Sequence, residues 1–191
     1  GSFAVALTPE AIAVTPDGRR FANESNSYHD VVHALLEATP AGDEPVAYIV
    51  CDERFIRRYG LGMAKPFPLP LRPYLRSGYL ARAASIEALA TKIGVDAAQL
   101  AATVADFSRH AKVGTDPQFH RGENAYNRYQ GDPDNTPNAC LAPIVKPPFY
   151  AVRVVAGDLG TFMGLATDAR ARVLRDDATP VAGLYAVGTD M

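Results

Sequence analysis

Ala11-Ile12-Ala13-Val14-Thr15-Pro16-Asp17-Gly18-Arg19-Arg20-Phe21-Ala22-Asn23-Glu24 sets a short apolar run, a proline–glycine turn and a polar return in immediate succession. Ala11 to Val14 reads as a strand. Pro16-Asp17-Gly18 closes a hairpin, because Pro pre-sets the first turn dihedral and Gly accepts a positive one. Working outward, a helix is predicted from about Ser27 to Glu37, with Val31, Leu35 and Val32 turned inward. Another runs from Ser85 to Ile93 and stops at Gly94. The best-marked helix spans Asp96 to Lys112: Asp96 caps it, Gln99 stands three residues on as in a capping box, Val95 and Leu100 fit a hydrophobic staple, and Gly114 follows the last turn. Leu100, Val104, Phe107 and Ala111 then share one face. Further strands are read at Val46 to Cys51, Tyr150 to Val155, Ala171 to Leu174 and Leu184 to Val187, the last pair joined by a turn at Asp176-Asp177-Ala178-Thr179-Pro180. Helices in the middle and strands at both ends make the class α+β.

Proline marks the loops. The run Lys65-Pro66-Phe67-Pro68-Leu69-Pro70-Leu71-Arg72-Pro73 reads as an ordered extended segment, since each Pro removes a backbone donor and pushes its predecessor out of helical geometry. Residues Gly131 to Pro148 repeat the pattern as a long loop, the kind that carries function or crosses between domains.

Composition excludes several classes. The chain has 191 residues, 48% hydrophobic and 21% charged, with 19 Lys+Arg against 21 Asp+Glu. It has no long uncharged apolar window for a membrane span and no signal-peptide pattern at its start. There is no basic stripe to neutralise a run of phosphates, so nucleic acid is not an expected partner. Cys51 and Cys140 lack the number and spacing of a disulfide framework, which points to a reducing, cytoplasmic setting. The last residues, Gly188-Thr189-Asp190-Met191, follow an apolar run, Gly183-Leu184-Tyr185-Ala186-Val187, that reads as a buried strand. Such a strand and Gly-Thr-Asp turn lead in other folds to a ligand-contacting helix. The chain is therefore expected to be a segment of a longer protein, with Gly1-Ser2 a cloning scar; a native terminal strand is the other reading.

Four ordered motifs carry a resemblance: Asp17-Gly18-Arg19-Arg20-Phe21-Ala22-Asn23-Glu24, Pro147-Pro148-Phe149-Tyr150-Ala151, Gly157-Asp158-Leu159-Gly160-Thr161 and Gly183-Leu184-Tyr185-Ala186-Val187-Gly188. Together with the proline run and Arg76-Ser77-Gly78-Tyr79-Leu80, the sequence resembles the FAD-dependent dehydrogenases of the fumarate reductase, succinate dehydrogenase and 3-ketosteroid dehydrogenase group. The resemblance implies a substrate-capping domain over residues 1–146 and a returning segment of the FAD-binding domain over 147–191. The G-x-G-x-x-G turn of the nucleotide-binding half is absent, so the chain by itself is expected to hold FAD weakly and to lack activity. Its implied partners are the missing N-terminal FAD domain, an apolar ketone or steroid-like molecule, and a second copy of the chain through exposed apolar surface.

The resemblance also sorts the chemistry. Four residues beyond Glu24, where fumarate reductases carry an Arg, stands Tyr28. Leu159-Gly160-Thr161-Phe162-Met163-Gly164 lacks the His found in the comparable fumarate reductase stretch. Both departures weigh against a dicarboxylate, which needs paired cations. Tyr28 resembles the tyrosine that takes a proton from the carbon beside a ketone while flavin N5 takes a hydride from the next carbon. Phenols ordinarily stay protonated to about pH 10, so such a base needs a neighbouring donor or cation. A half-buried tyrosine at a helix start, its hydroxyl on water, is the plainer reading. Tyr150 is a second catalytic candidate, polarising the ketone, or else a strand aromatic between domains. Gly160, Thr161, Gly164, Gly188 and Thr189 are the candidate flavin contacts, glycine serving either close backbone approach or merely a turn. Asn23 and Glu24 orient the site or serve local backbone bonds. His29 and His33 have i,i+4 metal spacing, but Asp30 replaces the usual Glu and no third-ligand pattern exists, so no metal is assigned. Arg121-Gly122-Glu123 and Tyr126-Asn127-Arg128-Tyr129 read as a polar lid loop, structural or solvent-facing rather than catalytic.

Overall fold

The computed structural model describes residues 9–157 and 164–191. Among them the elements are β1 (Ala11–Val14), α1 (Tyr28–Ala38), β2 (Val46–Cys51), α2 (Glu53–Arg58), α3 (Arg72–Arg76), β3 (Ala81–Ala83), α4 (Ile86–Ile93), α5 (Ala97–Ala111), α6 (Ala125–Gln130), β4 (Phe149–Val155), β5 (Arg172–Leu174) and β6 (Pro180–Tyr185), with a 3₁₀ turn at Gly188–Asp190. They form two compact units, one ending at Ala156 and the other running from Gly157 to Met191.

The first unit is built on a four-stranded antiparallel sheet in the order β1-β2-β4-β3. Alternate residues point to opposite faces of a strand, and here both faces are covered. Ile12, Val14, Val50, Phe149 and Ala151 pack with Leu89 of α4 and with Leu100, Val104 and Phe107 of α5. Ala11, Ala13, Ile49, Cys51, Tyr150 and Val152 pack on the other side with Phe55 and Ile56 of α2 and with Leu80. Full coverage explains why β1 and β2 are nearly continuous apolar runs rather than alternating ones.

The division between units falls after residue 156, ten residues later than the 146/147 boundary read from the sequence. The reason is register: Tyr150 to Val155 pair along the whole of β2, from Cys51 back to Val46. The strand after the proline loop is thus internal to the first sheet.

Local signals account for most helices. Ser27, Ser85 and Asp96 each accept a backbone N–H from three residues ahead, capping α1, α4 and α5. The capping box at α5 is only half made. Asp96 N–H donates to Pro16 O instead, and the Gln99 side chain turns to Thr103 Oγ1. Thr103 in turn donates to Gly18 O at 2.7 Å, so the β1 turn is seated on the first turn of α5. The proline run is not extended throughout, because α3 begins at Arg72 with Pro73 in its first turn, where a missing N–H leaves no helical bond unmade. Residues 131–148 do form a loop, yet Cys140, Leu141 and Ile144 within it are buried in the α4–α5 core.

The second unit holds the antiparallel pair β5–β6, closed by a turn in which Arg175 N–H donates to Thr179 O. Its apolar run departs from the buried strand read in the sequence: Leu184 is 44% exposed, Tyr185 61% and Val187 68%. Two short strands have no second layer to bury against.

Gly18 and Gly94 both have positive φ, +81° and +73°, but a methyl on Gly18 lands 2.8 Å from the Leu100 nitrogen, while one on Gly94 meets nothing within 4 Å. Gly94→Ala should therefore cost roughly 1 kcal/mol for its dihedral alone, and Gly18→Ala about 3 kcal/mol, with the clash added. Urea denaturation of the two variants checks the difference; equal costs would mean that the turn does not seat on α5.

Candidate active site

Between β1 and α1 the chain turns through Arg20-Phe21-Ala22-Asn23-Glu24-Ser25-Asn26-Ser27, and almost every polar group in it has a buried partner. The Arg20 guanidinium forks onto Glu24, Nε to Oε1 at 2.8 Å and Nη2 to Oε2 at 2.7 Å, and onto both oxygens of Asp116 at 2.8 Å. It lies between the rings of Phe107 and Phe119, 5.1 and 4.8 Å from their centroids. Glu24 also accepts the Ala13 N–H at 3.1 Å and faces Arg121 Nη1 at 3.2 Å. Arg121 donates to Ala11 O at 2.7 Å and, through Nε, to Ser25 Oγ at 3.0 Å. Two arginines and two carboxylates are thus buried together with strand β1, and each charge has a hydrogen-bonded opposite.

Burial alone pushes the Glu24 carboxyl up, but the adjacent Arg20 and Arg121 outweigh it and hold the group below the ordinary carboxylate value. The same balance, with Arg20 as chief partner, lowers Asp116. For Arg121 burial dominates and lowers its proton affinity against the pull of Glu24. Arg20 moves the other way: Glu24 and Asp116 overcome burial and raise it.

The arginine of Arg121-Gly122-Glu123, read from the sequence within a polar lid loop that is either structural or solvent-facing, is fully buried and takes the structural role, bonded to Ala11 O and Glu24. No local signal announces this, because its partners Ala11, Glu24 and Ser25 lie about a hundred residues away in the chain. Arg20 and Glu24 were quoted in the sequence as a motif, and their i,i+4 spacing is the one cue to a bonded pair. Asn23 and Glu24 act beyond local backbone bonds: the Asn23 amide donates to Phe119 O at 3.0 Å and to Asn127 Oδ1 at 2.9 Å.

Tyr28 is the first residue of α1, one position beyond the Ser27 cap, and is 42% exposed. Tyr150 occupies a different environment. Its ring is buried in β4, and its hydroxyl donates to Glu53 Oε2 at 2.5 Å. Burial, reinforced by Glu53, pushes the Tyr150 phenol well up. Burial also pushes Glu53 up, but the Tyr150 hydroxyl and Arg57 bond it and hold it below the ordinary value. This pair sits in a groove of about 570 Å³ with apolar walls from Phe67, Leu71 and Leu75, and Tyr28 is not among its lining residues. The Tyr150 proton is already committed to a carboxylate.

Of the flavin-side candidates, Gly160 and Thr161 lie outside the described residues. Gly164, Gly188 and Thr189 come together in the second unit: Leu165 N–H donates to Asp190 O at 2.9 Å, and a methyl on Gly164 would fall 2.5 Å from backbone atoms of Asp190 and Met191. Gly164 is therefore required by chain packing on chain. Gly188, at φ +70°, has nothing within 4 Å of a built methyl and leaves bare backbone at the surface.

Residues 6–191 match the model of a protein family described as an FAD-binding domain. The chain belongs to this FAD-binding family. It is 43% identical over 180 residues to 4-oxocyclohex-2-ene-1-carboxylate 5-dehydrogenase of Sinomonas cyclohexanicum, covering 94% of this chain and 30% of that protein. It is 39% identical over 186 residues to 3-oxosteroid 1-dehydrogenase of Mycobacterium tuberculosis, covering 95% and 33%. Among solved structures, it is similar to 3-ketosteroid Δ1-dehydrogenase of Sterolibacterium denitrificans in complex with 1,4-androstadiene-3,17-dione, with a TM-score of 0.86, 39% identity, and 96% of this chain against 33% of that one. The chain spans about a third of the length of these relatives. FAD is the cofactor of the family, and at Gly188 a built methyl meets none of the described residues within 4 Å, which leaves room for a flat group to approach its backbone.

Stability should follow the lowered carboxylates. Because Glu24 and Asp116 bind protons less readily folded than unfolded, their contribution is complete above the ordinary carboxylate value of about 4.5 and is lost as pH falls below it. Glu24→Gln should cost about 3 kcal/mol at neutral pH, since Arg20 and Arg121 lose a buried partner. It should also flatten the acid limb. Urea midpoints from neutral pH down to about pH 2 check both; a parallel pH profile for the variant would contradict the assignment.

Proposed function

We propose that this chain supplies the substrate-capping part, over residues up to 156, and a returning flavin-side strand pair, over 157–191, of an FAD-dependent dehydrogenase. The reaction is α,β-desaturation beside the carbonyl of a cyclic ketone, or its reverse. The observation that carries the reading is Tyr28: a phenol half in solvent at the first turn of α1, directly after a turn in which Arg20, Asn23, Glu24 and Ser25 are buried. The relatives' names support the substrate class, since a 3-oxosteroid and a 4-oxocyclohexene carboxylate have a ring ketone in common.

In this mechanism the proton on the carbon beside the ketone passes to Tyr28 Oη, which releases its own proton to water, and a carbon–carbon double bond forms as hydride leaves the adjacent carbon. FAD, when bound, would supply the two-electron acceptor for that hydride, and Gly188 and Thr189 would help to hold it. Tyr28 Oη needs to stand within about 3 Å of the proton it removes. A phenol suits an apolar pocket because it carries no charge that must be stripped of water before reaction, unlike a carboxylate. A dicarboxylate substrate fits less well: Arg20 and Arg121, two cations held at this turn, are buried and bonded to Glu24 and Asp116. Tyr150 takes no part as base, its proton being held by Glu53. The exposed Leu184, Tyr185 and Val187 support the assignment of 157–191 to a larger flavin domain or to a dimer contact.

Tyr28→Phe in the full-length, FAD-loaded protein should slow anaerobic flavin reduction by a 3-oxosteroid or by 4-oxocyclohexanecarboxylate by ~100- to 10,000-fold, with little change in KM. Reduction at nearly the normal rate would overturn the role of Tyr28.

A further inference from the structure

Helix α6 is anchored in an unusual way: its single buried residue is Asn127, a polar one. Tyr126 and Tyr129 on the same helix are exposed. Apolar packing is what usually fixes a short helix in place, and α6 has none of its own. What it has is one amide with every hydrogen-bonding position filled. Asn127 Oδ1 accepts from Asn23 Nδ2 at 2.9 Å and from Gly122 N–H at 3.1 Å. Its Nδ2 donates to Ser25 O at 2.9 Å and to Asn26 Oδ1 at 3.0 Å. Two acceptor and two donor positions are the full capacity of an Asn side chain, and three of the four go to the turn that ends two residues before Tyr28. The fourth ties Gly122, next to Arg121, which itself holds Ser25 Oγ.

We infer that Asn127 is a positioning residue for Tyr28. It acts through the backbone of residues 23–26, setting the place and direction at which α1 starts and hence where the Tyr28 phenol is presented. The inference rests on the proposed role of Tyr28. Its physical basis is that proton transfer to a fixed base is steeply sensitive to displacement, a shift of about 1 Å costing on the order of 100-fold in rate. The network of Arg20, Glu24 and Arg121 fixes the near side of the turn to β1. Asn127 fixes its far side, where the helix begins.

The test is a double-mutant cycle in the full-length, FAD-loaded protein, read by anaerobic flavin reduction with a 3-oxosteroid, together with amide hydrogen exchange over residues 23–30 in the same protein. Asn127→Ala should slow flavin reduction by ~10- to 100-fold with KM moved less than about threefold. Placed on Tyr28→Phe, it should add almost nothing, because the group it positions is gone. Exchange at Ser25 to Tyr28 should rise by about tenfold or more, while α5 stays unchanged. Should Asn127→Ala not fold, Asn26→Ala, which removes one of the four bonds from a partly exposed position, should give the same pattern at a few-fold size. Losses that add fully in the Tyr28→Phe background, or unchanged exchange at 25–28, would overturn the inference. A Tyr28→Phe protein with a normal rate would instead refute the base assignment, leaving the exchange result to judge the clamp alone.

Discussion

The Arg20–Glu24–Arg121 contact, with Asp116 closing it on one side, is the interaction on which the rest of the first unit depends. Four charged groups out of water cost several kcal/mol each unless the geometry returns it. Here Arg20 donates in bidentate fashion to the carboxylates of both Glu24 and Asp116, and Glu24 and Arg121 also bond the β1 backbone, at Ala13 N–H and Ala11 O. The cluster thereby joins the edge strand, the turn before α1 and the segment around Asp116 to Arg121. Removing a single member leaves a buried charge without its opposite, so the cluster acts as one unit.

The two faces of the sheet divide the labour. On one, α4 and α5 supply aliphatic and aromatic burial with little polar content. On the other, α2 and the proline run leave a groove holding the Tyr150–Glu53 pair. The rigid face and the ion cluster meet at Phe107, whose ring packs in the α4–α5 core and also lies under the guanidiniums of both Arg20 and Arg121. Tyr28 is thus held at the end of a chain of contacts running from the core through the cluster to the start of α1.

Periodicity and caps made much of this legible. α1, α4 and α5, and strands β1 and β2, begin and end within a residue or so of where Ser27, Ser85, Asp96, Gly94 and the apolar runs place them. What stayed hidden has a common cause. α3 carries Pro73 in its first turn, where it looks like any other proline in a rich run. α6 shows no apolar stripe because Asn127, not a hydrophobe, is what it buries. Arg121 looks solvent-facing because its partners are distant in sequence. β4 was cut by the domain boundary because Pro147-Pro148 marks a loop end as plausibly as a domain crossing. At the site, Tyr28 could be singled out only by position relative to Asn23-Glu24, and the bond from Tyr150 to Glu53 joins residues 97 apart, which no local pattern encodes.

The central claim is that this turn presents a phenol to a ring ketone. The most direct measurement is a crystal structure of the full-length, FAD-loaded protein with a 3-oxosteroid or 4-oxocyclohexanecarboxylate bound. The account predicts Tyr28 Oη within about 3.5 Å of the carbon beside the carbonyl, on the side opposite the flavin. It also predicts Asn127 still bonded to Ser25 O and Asn26. A bound ketone whose neighbouring carbon faces Tyr150, an arginine or open water, with Tyr28 several ångströms away, would contradict it.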